Sequence, residues 1–279
     1  TDQSIMSFNK EDPNDYMFLS KIEGLNDVGV KRIKYDNLND QLIVVYTNSN
    51  IDIIDDGEII NISDIKSNQI LTGDRSINDI HIYDKRSLFF ATAFGIIEFD
   101  IERLEFPTTI FTDIAINDIT SLGSRIYAAT DDGIFTTDLA TNNNIVDFSG
   151  WELYGSDQGL PIAYSCDHIE VYFDRLYADI EDDLWRQSSD GSFAELSLAD
   201  FDDSNIKYLS QGQENLIVGV QDGNIGRALF FNSSGDFVAD NTRCANQTLY
   251  AIQDEQGRIW FADKFSEIRW AEDLTSNCN

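Results

Sequence analysis

The stretch RIYAATDDGIFTTD (Arg125–Asp138) reads as a β-hairpin, and the fold follows from it because the same pattern returns along the whole chain. Arg125 to Thr130 alternates apolar with small or polar residues. Asp132-Gly133 supplies the positive φ angles of a tight turn, and Ile134 to Asp138 is a second extended run. Its relatives are QLIVVYTNSNIDIID from Gln41, SLFFATAFGIIEFD from Ser87, RLYADIEDDLWRQ from Arg175, NLIVGVQDGNIGRA from Asn215 and RIWFADKFSEIRWA from Arg258.

Upstream of each hairpin lies another short strand, centred on Ile33, Ile80, Ile119, Ile169, Ile206 and Ile252. The centres are 47, 39, 50, 37 and 46 residues apart, the period of four-stranded propeller blades rather than of the shorter solenoid repeats. After most hairpins comes a more polar stretch, such as Glu58 to Ile62 or Trp151 to Tyr154, suited to an outer fourth strand. At the N-terminus, Ser4 to Asn9 and Tyr16 to Lys21 resemble the third and fourth strands of a blade, with Asp12 to Asp15 as the turn between them. Counting this half-blade predicts an all-β, seven-bladed propeller, with six blades as the alternative. It is incomplete at both ends, because the first unit lacks its inner strands and the last an outer one. The repeats cover nearly all of residues 1–279, so a single propeller domain is expected, and its missing strands suggest a fragment of a longer protein.

Fifty acidic side chains against nineteen basic ones give a net charge of −31. That field repels nucleic acid and anionic membrane surfaces, and its simplest use is solubility. No apolar run is long enough to cross a bilayer as a helix, so no transmembrane segment is expected in this chain. Three cysteines stand at 166, 244 and 278. Cys244 and Cys278 flank the last repeat, and a bridge between them would fasten the chain's end. Three unpaired thiols are equally compatible with the spacing.

Reactive groups are scarce. The two histidines, His81 and His168, fall in or beside inner strands, where a structural role is expected. Cys166 has His168 nearby, but there is no metal-ligand spacing of His and Cys, no phosphate loop and no nucleophile elbow. The sequence therefore predicts neither catalytic residues nor a metal site, and no cofactor. Asn78-Asp79 and Asn117-Asp118 are the sharper feature, recurring at the start of successive inner strands. Inner strands border a propeller's axis, so these pairs are the candidate ligand-binding residues for a cation such as calcium or a hydroxyl-rich molecule. Strand-start capping is the simpler reading.

The last unit carries Asp254-Glu-Gln-Gly-Arg-Ile-Trp260, which resembles the repeat of the two-component-regulator propellers of Bacteroidota. From Leu19 to about Thr137 the resemblance is closer. LSKIEGLNDVGVKRIKYDNLNDQLIVVYTNSNIDII, NISDIKSNQILTGDRSINDI and FGIIEFDIERLEF together look like the N-terminal propeller of PorZ-type proteins of the type IX secretion system. Beyond Gly150 only the blade pattern persists. The resemblance implies a non-enzymatic, extracytoplasmic binding or scaffolding module at the cell surface or in the periplasm of a Gram-negative bacterium. Its partners would be proteins of the secretion complex or a glycan, and a disulfide between Cys244 and Cys278 suits that compartment. The alternative function is a carbohydrate-sensing propeller of a two-component regulator. A charge of −31 argues against transfer of an anionic-glycan role, and no ligand-contact motif of the family can be placed on this chain.

Overall fold

The computed structural model describes residues 4–10, 12–245, 247–265 and 267–278, and their regular structure is almost entirely antiparallel sheet. A two-stranded hairpin, β1 (Ser4–Asn9) and β2 (Asp12–Ser20), comes first. The first blade is β3 (Val30–Asp36), β4 (Gln41–Tyr46), β5 (Ile51–Asp55) and β6 (Glu58–Ile62), followed by one helical turn, α1 (Asp64–Ser67). The second is β7 (Ile77–Ile82), β8 (Ser87–Thr92), β9 (Gly95–Asp100) and β10 (Glu105–Phe111). The third is β11 (Asp118–Leu122), β12 (Arg125–Thr130), β13 (Gly133–Asp138) and the short β14 (Glu152–Leu153). The fourth is β15 (Cys166–Tyr172), β16 (Arg175–Ile180), β17 (Asp183–Gln187) and β18 (Phe193–Leu196). The fifth is β19 (Asn205–Gln211), β20 (Leu216–Asp222), β21 (Ile225–Phe231) and β22 (Phe237–Asp240). The sixth has three strands, β23 (Thr248–Gln253), β24 (Ile259–Asp263) and β25 (Glu267–Ala271). Two compact units contain these sheets, Thr1–Ile116 with Val146–Phe148, and Asn117–Ile145 with Ser149–Asn279.

Every sheet is an up-and-down meander in sequence order, the construction of a propeller blade. The chain is thus an all-β propeller of six blades preceded by a hairpin. The expected count of seven credited Ser4–Asn9 and the following strand with a blade of their own, whereas among the described residues they pair only with each other. The turn expected at Asp12–Asp15 is also displaced. Those residues begin β2, with Asn9 opposite Asp12 after an irregularity at Phe8/Asn9. Proline at position 13 is compatible with this because a two-stranded sheet has only edge strands.

Why the second strands read as near-continuous apolar runs is clear from their burial. Ile43 to Tyr46, Leu88 to Ala91 and Leu216 to Val218 are all buried, because such a strand is covered on both faces. Alternate side chains then serve different seams. On β16, Leu176, Ala178 and Ile180 pack toward the third blade with Tyr127 and Ile134, while Tyr177 packs toward the fifth with Val218 and Phe231. On β20, Val218 belongs to that second cluster, and Ile217 joins Phe230, Ile259 and Phe261 of the fifth and sixth blades. In the N-terminal unit Ile43, Ile53, Phe90 and Phe99 join the first two blades. Each such side chain contributes about 1.5–3 kcal/mol on burial, so the seams hold the fold.

Inner strands start irregularly. The register slips between Val30 and Arg32, Ile77 and Asp79, Cys166 and His168, Ile206 and Tyr208, and Thr248 and Tyr250. One residue is left over each time, Lys31, Asn78, Asp167, Lys207 and Leu249, as in a β-bulge that bends the strand and re-aims a side chain.

Two substitutions test this architecture. Gly95 begins β9 at φ +141°, and a Cβ there would strike the carbonyl oxygen of Ile110 on β10. Gly123 turns at φ +60° with open space around it. Gly95→Ala is expected to cost about 3 kcal/mol and Gly123→Ala about 1, read as a larger fall in urea midpoint for the former. Cys244 and Cys278 are bridged, with Cα atoms 5.1 Å apart and a sequence separation of 34. Closing a loop of that length removes roughly 3–4 kcal/mol of unfolded-state freedom. Cys278→Ser should therefore lower the melting temperature, and a reducing agent should bring the parent down to the variant while leaving the variant unchanged.

Candidate functional site

The bulges decide where the predicted site residues point. Asn78, left over at the start of β7, donates from Nδ2 to the carbonyl of Ile116 at 2.9 Å and accepts from Lys31 Nζ at 3.1 Å. Asp79 pairs with Arg32 of β3 at 3.1 Å. All of these contacts lie in the N-terminal unit, and they tie the second blade to the first and to the segment that ends at Ile116. In the C-terminal unit, Asn117 donates to Asp131 at 2.9 Å and to the carbonyl of Cys166 at 3.1 Å. The carboxylate of Asp118 accepts from its neighbour Ile119 N–H at 2.8 Å and from Ile169 N–H of the fourth blade at 3.1 Å. Each of the four residues is engaged in cross-seam or capping bonds.

The hairpin turns do similar work. Asp182, between β16 and β17, accepts from Asn205 Nδ2 at 2.6 Å and Ile206 N–H at 3.0 Å of the next blade. Asp52 on β5 is fully buried and gathers Asn26, Asn61 and the Tyr46 hydroxyl. Burial first, and then this carboxylate, push the Tyr46 phenol far above its ordinary value.

Cross-strand register shows a second pattern that the sequence reading missed. The residue after each bulge pairs with one position near the end of the second strand: Arg32 with Val45, Asp79 with Ala91, His168 with Asp179, Tyr208 with Gly219 and Tyr250 with Ala262. In the third blade Asp118 pairs with Ala129. Neighbouring members of the first series meet in complementary couples. Arg32 faces Asp79 at 3.1 Å, Asp118 faces His168 Nδ1 at 3.7 Å, and the rings of Tyr208 and Tyr250 stack at 4.3 Å.

The fourth blade alone places an acid, Asp179, where the others carry valine, alanine or glycine. Asp179 is 1 % exposed, its Oδ1 accepts from Asp182 N–H at 3.1 Å, and its Oδ2 has no hydrogen-bond partner among the described residues. Burial raises its pKa to about 7 against the easing charge of His168, with Asp167 and Asp182 adding to the rise. Burial opposes the charged form of His168, yet Asp118, Asp179 and Asp167 outweigh it and raise its pKa. Cys166 is a buried free thiol held up by burial, and its Sγ reaches only the backbone oxygen of His168 at 3.5 Å. It is not poised as a nucleophile. His81 sits half-buried on β7 opposite Phe89.

Two cavities lie between the fifth and sixth blades. One of about 460 Å³ has an apolar floor of Phe230, Ile259 and Phe261, with the Cys244 end of the disulfide and Asp240 and Asp273 around it. The other, about 190 Å³, is lined by Lys207, Tyr208, Gly226 and Gln247. Among the described residues the buried Tyr208 hydroxyl and Gln247 Oε1 have no hydrogen-bond partner. Gly219 is the only sequence signal for this second cavity, since the Tyr208 ring lies where its Cβ would be. Among the described residues no group of three or more His, Cys, Asp or Glu side chains is arranged to hold a metal ion.

Comparison with known proteins agrees with this architecture. No curated protein matches the chain. Among solved structures, PorZ of the type IX secretion system of Porphyromonas gingivalis superposes with a TM-score of 0.80 at 19 % identity, over 100 % of this chain and 36 % of that one. The extracellular domain of a putative hybrid two-component system from B. thetaiotaomicron gives 0.61 at 17 % identity, over 86 % of this chain and 33 % of the other. That of a putative one-component system from the same organism gives 0.62 at 14 %, over 90 % and 33 %. This chain thus spans about a third of the length of each of these structures. The family model described as "TSS9, PorZ, N-terminal beta-propeller domain" matches residues 1–152, more than half of the 279, and the chain belongs to the PorZ N-terminal β-propeller family.

Proposed function

We propose that this chain is a non-enzymatic binding and scaffolding module. It works outside the cytoplasm, at the cell surface of a Gram-negative bacterium, within a type IX secretion assembly. The observation that carries the reading is the membership of residues 1–152 in the PorZ N-terminal propeller family. Physical features support it. The second strands are consumed by packing, Cys166 is buried and His168 faces Asp118 across a seam, which leaves loops at the blade ends to meet a protein or glycan partner. The disulfide suits an oxidising compartment. A sensor domain of a two-component regulator is the second reading, favoured by the superposition on the B. thetaiotaomicron extracellular domains.

Disrupting the gene in its own bacterium separates the two. The scaffolding reading expects secreted cargo to lose its attachment to the cell surface, with restoration by the intact gene. Normal cargo display together with a lost transcriptional response to a glycan would overturn it in favour of the sensor.

The Asn-Asp pairs have no role as ligand residues in this reading. Calorimetric titration of the parent and of an Asp79→Ala, Asp118→Ala double variant with calcium and neutral glycans is expected to show no saturable binding by either. The variant should lose about 1–2 kcal/mol of stability for each cross-seam bond removed. Saturable binding abolished in the variant would restore the pairs as a ligand site.

A further inference from the structure

We propose that Asp118, His168 and Asp179 form a proton-operated latch across the seam between the third and fourth blades, closing as the medium becomes mildly acidic and loosening above neutrality. The proposal stands apart from the docking reading and rests on the geometry within the C-terminal unit.

The three groups come from three strands. His168 on β15 reaches toward Asp118 on β11 of the neighbouring blade at 3.7 Å, and is the cross-strand partner of Asp179 on β16. Asp118 is anchored on the same seam by Ile169 N–H. The other titratable groups around the latch are Asp167 and the buried thiol of Cys166 on β15, and Asp182 in the turn after β16. Among the described residues no Lys or Arg is ion-paired with the Asp179 or His168 side chain, so a proton is the counter-charge at hand for Asp179.

A buried carboxylate oxygen with no hydrogen-bond donor is costly when charged. Protonating Asp179 removes that charge, and protonating His168 places a cation between two acids. Both groups hold protons more tightly in the folded chain than in an unfolded one, His168 above 6.5 and Asp179 moving from 3.8 to about 7. A raised value contributes stability at low pH that is lost as pH rises through the folded value, so both act in the same direction, Asp179 from about pH 4 to 7 and His168 from about 6.5 up to its folded value. Because the groups interact, they titrate as one coupled system. The equivalent position in the other blades is Val45, Ala91, Ala129, Gly219 or Ala262, none of which titrates.

Relief of the overall charge of −31 also favours the compact state in acid, so the test is a difference between parent and variants. Asp179→Asn keeps the shape and removes the titration. It should melt above the parent at both pH values, with an offset at pH 8 about twice that at pH 5.5. His168→Gln should do the opposite, matching the parent at pH 8 and melting several degrees below it at pH 5.5. With only two histidines, proton NMR of the imidazoles, assigned with His81→Gln, reads the latch directly. The His168 midpoint is expected above the ordinary ~6.5 and should fall to that value or below in Asp118→Asn. A parent midpoint at or below 6.5, or an Asp179→Asn melting offset that is equal at both pH values, overturns the latch.

Discussion

Each interior blade must bury both of its faces, and that constraint governs where every other kind of residue can go. On a strand covered on one side by Tyr127 and Ile134 and on the other by Val218 and Phe231, each unpaired polar atom is costly, and Asp179 Oδ2 and the Tyr177 hydroxyl are two that β16 carries among the described residues. Polar chemistry is therefore displaced to the turns and to the irregular starts of the inner strands. There the bulge turns a side chain out of its own sheet and toward the next one. Asn78, left over at its bulge, reaches Ile116, and Asn117, at a strand start with no register slip, reaches the carbonyl of Cys166.

The acidity has a structural share for the same reason. A meander of this kind makes a turn every few residues, and aspartate caps turns by accepting backbone N–H groups. Asp36 holds Leu38, Asp84 holds Arg86 and Ser87, Asp138 holds Ala140, and Asp254 holds Gln256 and Arg258. At Asp138 and Asp273 the charged form is favoured. The Ser124 hydroxyl lowers Asp138 and the Thr275 hydroxyl lowers Asp273. Burial opposes the charge on Asp27, yet hydrogen bonds from Lys66 and Asn48 bring it down to about 2. Asp179 departs from this background, because its second oxygen has no donor among the described residues and burial moves its value the other way, as burial also does at Asp183.

The hairpins were legible because the turn residues and the apolar runs agree with each other from Gln41 to Ala271. Blade number was less legible. A strand pair such as Ser4–Asn9 with Asp12–Ser20 has the same local pattern whether or not two further strands join it. The Asn-Asp repeats were visible, but their partners were not, since Ile116 and Cys166 offer backbone carbonyls that no sequence motif marks. The Asp118, His168 and Asp179 cluster was hidden for a different reason. His168 and Asp179 face each other only after the one-residue slip at Asp167, and a reading that counts two residues per repeat along β15 carries the register wrongly through it. Asp179 itself was legible in principle, as the one acid in a column of valine, alanine and glycine.

What differs from seam to seam within this propeller lies in that column and its partners, rather than in the apolar core. Superposition on structures of 14–19 % identity shows how little the packed strands constrain sequence beyond being apolar and of suitable size. At the position after the bulge the requirement is relational, because whatever stands there must suit its counterpart in the adjoining blade. Arginine with aspartate, aspartate with histidine, and tyrosine with tyrosine each satisfy it by a different force: charge, charge that depends on a proton, and ring contact. A seam fastened by charge weakens with salt, one fastened through histidine changes with pH, and one fastened by stacked rings responds to neither. The fold can therefore keep its architecture while the chemistry of individual seams is set by two residues at a time.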